Sequence, residues 1–187
     1  MVPHNPEELA KQVSLALDYH QKGDVEKALS LYLELTQVVC IPMLNYNIGL
    51  IYFELEDYTK ALIHFETAHE LVPDDCDTLF NMGLCLKALG RINEAVSSYQ
   101  QIVKDAPDQI DALYNLAGCY KDLRQYDDAI AYYLEALQHQ PDHLSALNNL
   151  AYVYQVNGNI DDAIASYQQL LRCDPEREGA KFMLSAL

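Results

Sequence analysis

Apolar residues recur at helical spacing along most of the chain. In one segment they return every three or four residues, at Leu113, Leu116, Ala117 and Tyr120. After a short polar interval the same spacing continues at Ala129, Tyr133 and Ala136. This period is typical of the buried stripe of an amphipathic helix. It predicts two helices joined by a turn within residues 110–143.

The same pattern repeats along the chain. Four prolines stand 34 residues apart, at Pro73, Pro107, Pro141 and Pro175. An equal spacing of this kind indicates internal repeats. Alignment on the prolines gives repeats at 42–75, 76–109, 110–143 and 144–177, and a first repeat, one residue shorter, fits at 9–41. The aligned repeats share a column of small residues: Gly49, Gly83, Ala117 and Ala151.

The turn between the two helices of a repeat has its own signals. Glycine occupies it in three repeats, at Gly23, Gly90 and Gly158, and the segments "ELED" and "DLRQ" replace it in the other two. Glycine permits a left-handed helix end at no steric cost. We expect the second helices to begin at residues suited to capping: Thr59, Asn93, Asp127 and Asp161.

Residues 178–187 continue the helical pattern, with Phe182, Leu184 and Leu187 as apolar positions. Two interpretations stay open. The segment is either a capping helix that covers the core of the last repeat or the start of a further repeat in a longer chain.

Composition narrows the classes of partner. The chain of 187 residues carries a formal net charge of -16, which repels phosphate backbones and anionic membrane surfaces. We therefore expect neither nucleic acid nor membrane as a partner, and we expect no signal peptide. Five cysteines without a C-x-x-C pair are interpreted as free, buried thiols of a cytoplasmic protein.

Sequence signals for chemistry are absent. There is no P-loop, G-x-G-x-x-G, H-E-x-x-H or G-x-S-x-G motif. His139 and His143 stand four residues apart, but Pro141 lies between them at a predicted turn. We therefore expect no enzymatic activity, no cofactor and no metal site.

The shared columns and the 34-residue period resemble the tetratricopeptide repeat (TPR) family over about nine-tenths of the chain. The resemblance implies an all-α fold in which residues 1–187 form a single α-solenoid of tandem helix-turn-helix TPR repeats. It implies a right-handed superhelix whose first helices line a concave groove. It also implies recognition of peptides or proteins rather than catalysis.

Under this resemblance, position six of each first helix faces the groove and is an asparagine in four repeats: Asn47, Asn81, Asn115 and Asn149. A carboxamide carries a donor and an acceptor, which match the two hydrogen-bonding groups of a peptide unit. Some TPR proteins hold ligand backbones with such a ladder, so we expect this column to bind an extended peptide. The alternative is that each asparagine bonds to the backbone of the neighbouring repeat and specifies packing.

Two further groove columns carry aromatic and cationic side chains. Position five gives Tyr46, Phe80 and Tyr114, which either contact ligand side chains or pack against adjacent helices. Position twelve gives Lys87 and Lys121. These lysines either pair with an acidic ligand or, as we expect, with carboxylates nearby: Asp77, Asp111 and Asp122.

Together these features predict a scaffold or adaptor that binds a peptide or a partner protein. An alternative is an N-terminal recruitment domain of a larger enzyme, because "GAKFMLSAL" resembles the junction between TPR arrays and S-adenosylmethionine-dependent methyltransferase modules. That resemblance covers nine residues. A third interpretation is a homo-oligomeric scaffold that assembles through its convex face or its end repeats.

Overall fold

The computed structural model describes residues 5–187, which form eleven α-helices and, within that range, no strand. The helices of the first half are α1 (Pro6–Gln21), α2 (Val25–Thr36), α3 (Pro42–Glu54), α4 (Tyr58–Leu71) and α5 (Cys76–Ala88). Those of the second half are α6 (Ile92–Asp105), α7 (Ile110–Asp122), α8 (Tyr126–His139), α9 (Leu144–Asn157), α10 (Ile160–Cys173) and α11 (Glu178–Ser185). The predicted all-α fold of tandem helix pairs is confirmed.

The chain forms two compact units, and the first ends at Arg91. Within it each of the helices α1 to α4 contacts the next one, and the first helices α3 and α5 also contact each other. The core of this unit is apolar and almost completely buried, and it includes Tyr32, Leu35, Leu44 and Ile48. Contacts between successive helices are typical of a repeat array.

The second unit runs from Ile92 to Leu187 and contains α6 to α11. Its helices contact their successors in the same way, and α7 and α9 contact each other. Helix α11 packs Ala180, Met183 and Leu184 against a core that includes Tyr167 and Leu170. Phe182, which the sequence grouped with the apolar positions of this segment, is 70% exposed.

A left-handed residue closes the first helix of each pair. The three turn glycines have positive φ angles, as predicted, and Glu56 and Arg124 take the same conformation with φ angles of 59° and 61°. These two residues belong to the repeats that lack a turn glycine. The turn therefore keeps its left-handed geometry even at residues with a side chain, for which this conformation costs conformational energy.

The predicted starts of the second helices are wrong by one residue. These helices begin at Tyr58, Ile92, Tyr126 and Ile160, so Thr59, Asn93, Asp127 and Asp161 lie inside the first turn. The cause is the left-handed residue, because the residue that follows it already has the N-cap role. Asp57 shows this, since its carboxylate accepts a hydrogen bond from the Lys60 N–H at 3.2 Å.

The small-residue column marks a close approach of paired helices. A Cβ atom on Gly49 would lie 2.6 Å from Cε1 of Phe65, which is fully buried on α4. The aromatic column of the second helices fills the core of the other repeats with fully or almost fully buried rings: Tyr32, Tyr99, Tyr133 and Tyr167.

The cysteines have three different environments, and Cys76 is partly buried. All five are free thiols, but only Cys85 and Cys119 are buried, and burial raises the pKa of Cys85 to about 12. Cys40 and Cys173 are exposed, so the prediction of buried thiols is wrong for these two. Cys40 lies in the loop after α2, and Cys173 is the last residue of α10, beyond its last buried position at Leu170.

Candidate functional site

The four asparagines of the predicted column lie on the first helices α3, α5, α7 and α9, and each is partly buried. Asn47, Asn81 and Asn115 each donate a hydrogen bond from Nδ2 to the backbone carbonyl four residues earlier, at 2.8 Å. This bond holds the side chain along its own helix. It uses one of the two amide hydrogens.

Two of the asparagines also bond to the neighbouring first helix within their own unit. The Nδ2 group of Asn81 donates to the hydroxyl of Tyr46 at 3.2 Å in the first unit. In the second unit Asn149 donates to the hydroxyl of Tyr114 at 3.0 Å. Each bond joins a tyrosine at position five to the asparagine 35 residues later. These two asparagines therefore do bond to the neighbouring repeat, but to a tyrosine hydroxyl and not to the backbone that the packing interpretation names.

Asn47 and Asn115 have a different environment. Within residues 5–187, the only hydrogen bond of either side chain is the one to its own helix, so Oδ1 and the second amide hydrogen have no protein partner. The sequence accounts for the difference, because position five of the preceding repeat is Val13 or Phe80, and neither residue has a hydroxyl. These two amides retain one donor and one acceptor for a ligand.

The two tyrosines of position five are fixed by packing within their own repeats. The ring centroid of Tyr46 lies 5.7 Å from that of Phe65, and that of Tyr114 lies 5.9 Å from that of Tyr133. Both tyrosines remain partly exposed, as does Phe80 on α5. The two tyrosines therefore combine a packed face with an accessible one.

The lysines of position twelve lie near the C-terminal ends of α5 and α7, and both are partly buried. Lys121 Nζ donates to Oδ1 of Asn149, a neutral partner, at 3.5 Å. The contact between α7 and α9 explains this bond, because it brings position twelve of one first helix beside position six of the next first helix. Lys121 also lines a largely polar cavity of about 560 Å³ with Arg124 and Tyr152.

An apolar cavity of about 320 Å³ lies beside Tyr46 in the first unit. Met43 of α3 and Val72, which caps α4, line it together with Asp75 and Asp77 at the start of α5. Neither Met43 nor Val72 is among the residues predicted from the sequence to bind a ligand. A signal was present at Met43, an apolar residue at position two that lies outside the buried stripe of its helix.

The described residues include neither a metal-binding cluster nor a membrane-spanning helix. Within residues 5–187, no group of three or more histidine, cysteine, aspartate or glutamate side chains could hold a metal ion. None of the described helices has the length and apolar character that crossing a bilayer requires.

Comparisons with solved structures identify similar folds. YrrB, whose crystal structure is described as that of a TPR protein with an unusual peptide-binding site, has a TM-score of 0.85 at 20% identity, over 92% of this chain and 89% of YrrB. A MamA protein has a TM-score of 0.86 at 16% identity, covering 94% of this chain and 96% of its own. MamA from Desulfovibrio magneticus RS-1 has a TM-score of 0.85 at 17% identity, with coverages of 95% and 99%. At these identities the likeness shows the fold.

Sequence comparisons identify the family. A search of curated proteins finds no match. Four family models, all described as tetratricopeptide repeat, match residues 13–36, 40–108, 88–133 and 120–178. The chain belongs to the tetratricopeptide repeat family.

Proposed function

We propose that this protein is an interaction scaffold that binds an extended segment of a partner protein along the first helices of its repeats. The observation that carries the proposal is the state of Asn47 and Asn115. Each has one amide hydrogen and one carbonyl oxygen without a partner among residues 5–187. A peptide unit offers the complementary acceptor and donor.

The other two asparagines have a narrower role in this proposal. Asn81 uses both amide hydrogens, one for the Asp77 carbonyl and one for Tyr46, which leaves Oδ1 to accept a bond from a ligand N–H. Asn149 donates to Tyr114 and accepts from Lys121, so one amide hydrogen remains. These two side chains support the aromatic residues and contribute single bonds to the ligand.

Side-chain contacts complete the proposed surface. The accessible faces of Tyr46, Phe80 and Tyr114 would cover apolar parts of the ligand at low entropic cost, because aromatic side chains have few rotatable bonds. Lys87 and Lys121 would supply positive charge near the ends of α5 and α7. The description of YrrB as a TPR protein with a peptide-binding site supports a ligand of this class.

The proposal is tested with peptides selected from a phage-displayed library of random linear sequences against the intact chain. Each selected peptide is then titrated by fluorescence polarisation against the native protein and the Asn47→Ala/Asn115→Ala double variant. We expect the double variant to bind about tenfold more weakly or worse, since each lost hydrogen bond is worth about 0.5–1.5 kcal/mol.

Asn93→Ala provides the matched control, because Asn93 is an exposed asparagine on the second helix α6. Its affinity should equal that of the native chain, and circular dichroism should report the same helix content for all variants. A selection that yields no binder, or peptides that bind the double variant and the native chain equally, would overturn the proposal.

A further inference from the structure

The cavity beside Tyr46 has an apolar lining and an acidic edge, and this combination is suited to one kind of side chain. We propose that it binds a lysine or arginine of the ligand, with the aliphatic part against Tyr46 and Val72 and the charged group beside Asp77. The inference rests on the proposed function, since it assigns one side chain of the bound segment.

The apolar part of the cavity is accessible. Met43 is 37% exposed and Val72 is 43% exposed, and both line the cavity beside Tyr46. A single exposed apolar residue is common on protein surfaces and needs no explanation. Here two of them lie around one cavity of about 320 Å³, which gives the methylene groups of a long side chain a surface to cover.

The aromatic wall of the cavity is held in place before any ligand binds. The Tyr46 ring packs against Phe65 at a centroid distance of 5.7 Å, and its hydroxyl accepts a hydrogen bond from Asn81 at 3.2 Å. Because ring and hydroxyl are both fixed, binding would not have to order this side chain, which removes part of the entropic cost of association.

The edge of the cavity is negatively charged. Asp75 is the N-cap of α5 and accepts hydrogen bonds from the backbone N–H and the hydroxyl of Thr78. Asp77 is exposed, and its carboxylate has no ion-pair partner within residues 5–187. The pKa of Tyr46 is raised above its ordinary value, mainly by burial and further by the negative charges of Asp77 and Asp75. Both carboxylates are therefore close enough to place negative potential on the cavity.

The balance of charges at this edge favours a cation. A helix N-terminus is equivalent to about +0.5 elementary charge, which does not neutralise the two carboxylates of Asp75 and Asp77. An acidic ligand group would be repelled there, and a purely apolar one would leave the Asp77 carboxylate without an ion-pair partner. The net charge of -16 on the chain adds a general attraction for basic partners.

The test uses the peptides selected against the native chain. We expect them to carry lysine or arginine at one position, and we expect norleucine at that position to weaken binding about fivefold. Asp77→Asn should remove this difference between the basic and the norleucine peptide. Asp77→Lys should reverse the preference in a new selection and enrich glutamate or aspartate at that position.

Asp111→Asn is the matched control, because Asp111 has the same place in the first turn of α7. The difference between the two peptides should persist in this variant. Peptides that require Asn47 and Asn115 but bind equally with norleucine, or are insensitive to Asp77→Asn, would overturn this inference and leave the proposed function standing. Peptides that require neither asparagine would overturn both.

Discussion

The hydroxyl of Tyr114 accepts a hydrogen bond of 3.0 Å from the amide of Asn149. This bond joins the first helix of one repeat to the first helix of the next. Tyr46 and Asn81 make the corresponding bond at 3.2 Å in the first unit. In both units a residue expected to face the ligand also holds the array together. Under the proposed function these pairs would couple stability to recognition, whereas Asn47 and Asn115 would contribute to recognition without such a bond.

Breaking the bond in the second unit should lower stability by a measurable amount. We expect Tyr114→Phe and Asn149→Ala each to lower the free energy of unfolding by about 0.5–1.5 kcal/mol. The double variant should lose less than the sum, because the second substitution has no hydrogen bond left to break. Urea denaturation followed by circular dichroism measures all three values.

The combination of Asn149→Ala with Tyr152→Phe serves as the control cycle. Tyr152 lies on the same helix, and its exposed side chain makes no described hydrogen bond with Asn149. These two substitutions should be additive. Additivity for Tyr114 and Asn149 as well would show that the hydroxyl–amide bond contributes nothing to folding.

Gly49→Ala should destabilise the first unit. Its new methyl group would lie 2.6 Å from Cε1 of Phe65, a buried ring against which Tyr46 also packs. Overpacking of this kind costs about 1–3 kcal/mol. Thermal unfolding should therefore show a lower Tm than that of the native chain.

Gly179→Ala is the contrasting substitution, because a Cβ atom at this position in α11 meets no atom within 4 Å. Replacing a helical glycine by alanine should raise stability by up to about 1 kcal/mol. An unchanged Tm for Gly49→Ala, with the expected gain for Gly179→Ala, would contradict the close approach at Phe65.

A glycine introduced into either of the two turns that lack one should increase the stability of the chain. Arg124 has a φ angle of 61°, a left-handed conformation that costs a side-chain-bearing residue about 1–2 kcal/mol. Arg124→Gly removes this cost, and the greater flexibility of glycine in the unfolded chain offsets part of the gain. We expect a net stabilisation of up to about 1 kcal/mol in urea denaturation.

The reverse substitution, Gly158→Arg, should destabilise the chain. A Cβ atom at Gly158 meets no atom within 4 Å, so backbone strain is tested without steric clash. Effects of the same sign for Arg124→Gly and Gly158→Arg would refute the strain argument.

Much of the fold could be predicted from the sequence, because it depends on local sequence patterns that occur again in each repeat. The 34-residue spacing of prolines and the buried stripe fixed the order of the helices. The starts of the second helices were missed, because the capping residue is set by the left-handed conformation of the residue before it. At Glu56 and Arg124 the sequence has no glycine to indicate that conformation.

Less of the candidate site could be predicted, because it depends on the offset between neighbouring helices. The sequence identified the asparagine and aromatic columns, but it did not show that a tyrosine reaches the asparagine 35 residues later. The cavity beside Tyr46 combines α3, the end of α4 and the start of α5. No periodicity within a single helix reveals such a combination.

The environment of His64 predicts a pH dependence of stability. Its Nδ1 atom lies 3.0 Å from Oδ1 of Asn45, its ring stacks on Tyr52, and burial lowers its pKa below the ordinary value of 6.5. The unfolded chain therefore takes up a proton first as the pH falls, and the free energy of unfolding contributed by this group decreases below about pH 6.5. His64→Gln should flatten the slope of stability between about pH 7 and 5.

Asn45→Asp tests the sign of this argument. A carboxylate beside the ring favours the imidazolium, which would raise the pKa of His64 in the folded state. Stability from the pair would then be present below the unfolded pKa of the histidine and would be lost as the pH rises through the folded one. Urea denaturation at a series of pH values measures both variants. If His64→Gln keeps the native slope, or Asn45→Asp leaves it unchanged, burial of the imidazole does not control the acid sensitivity of the first unit.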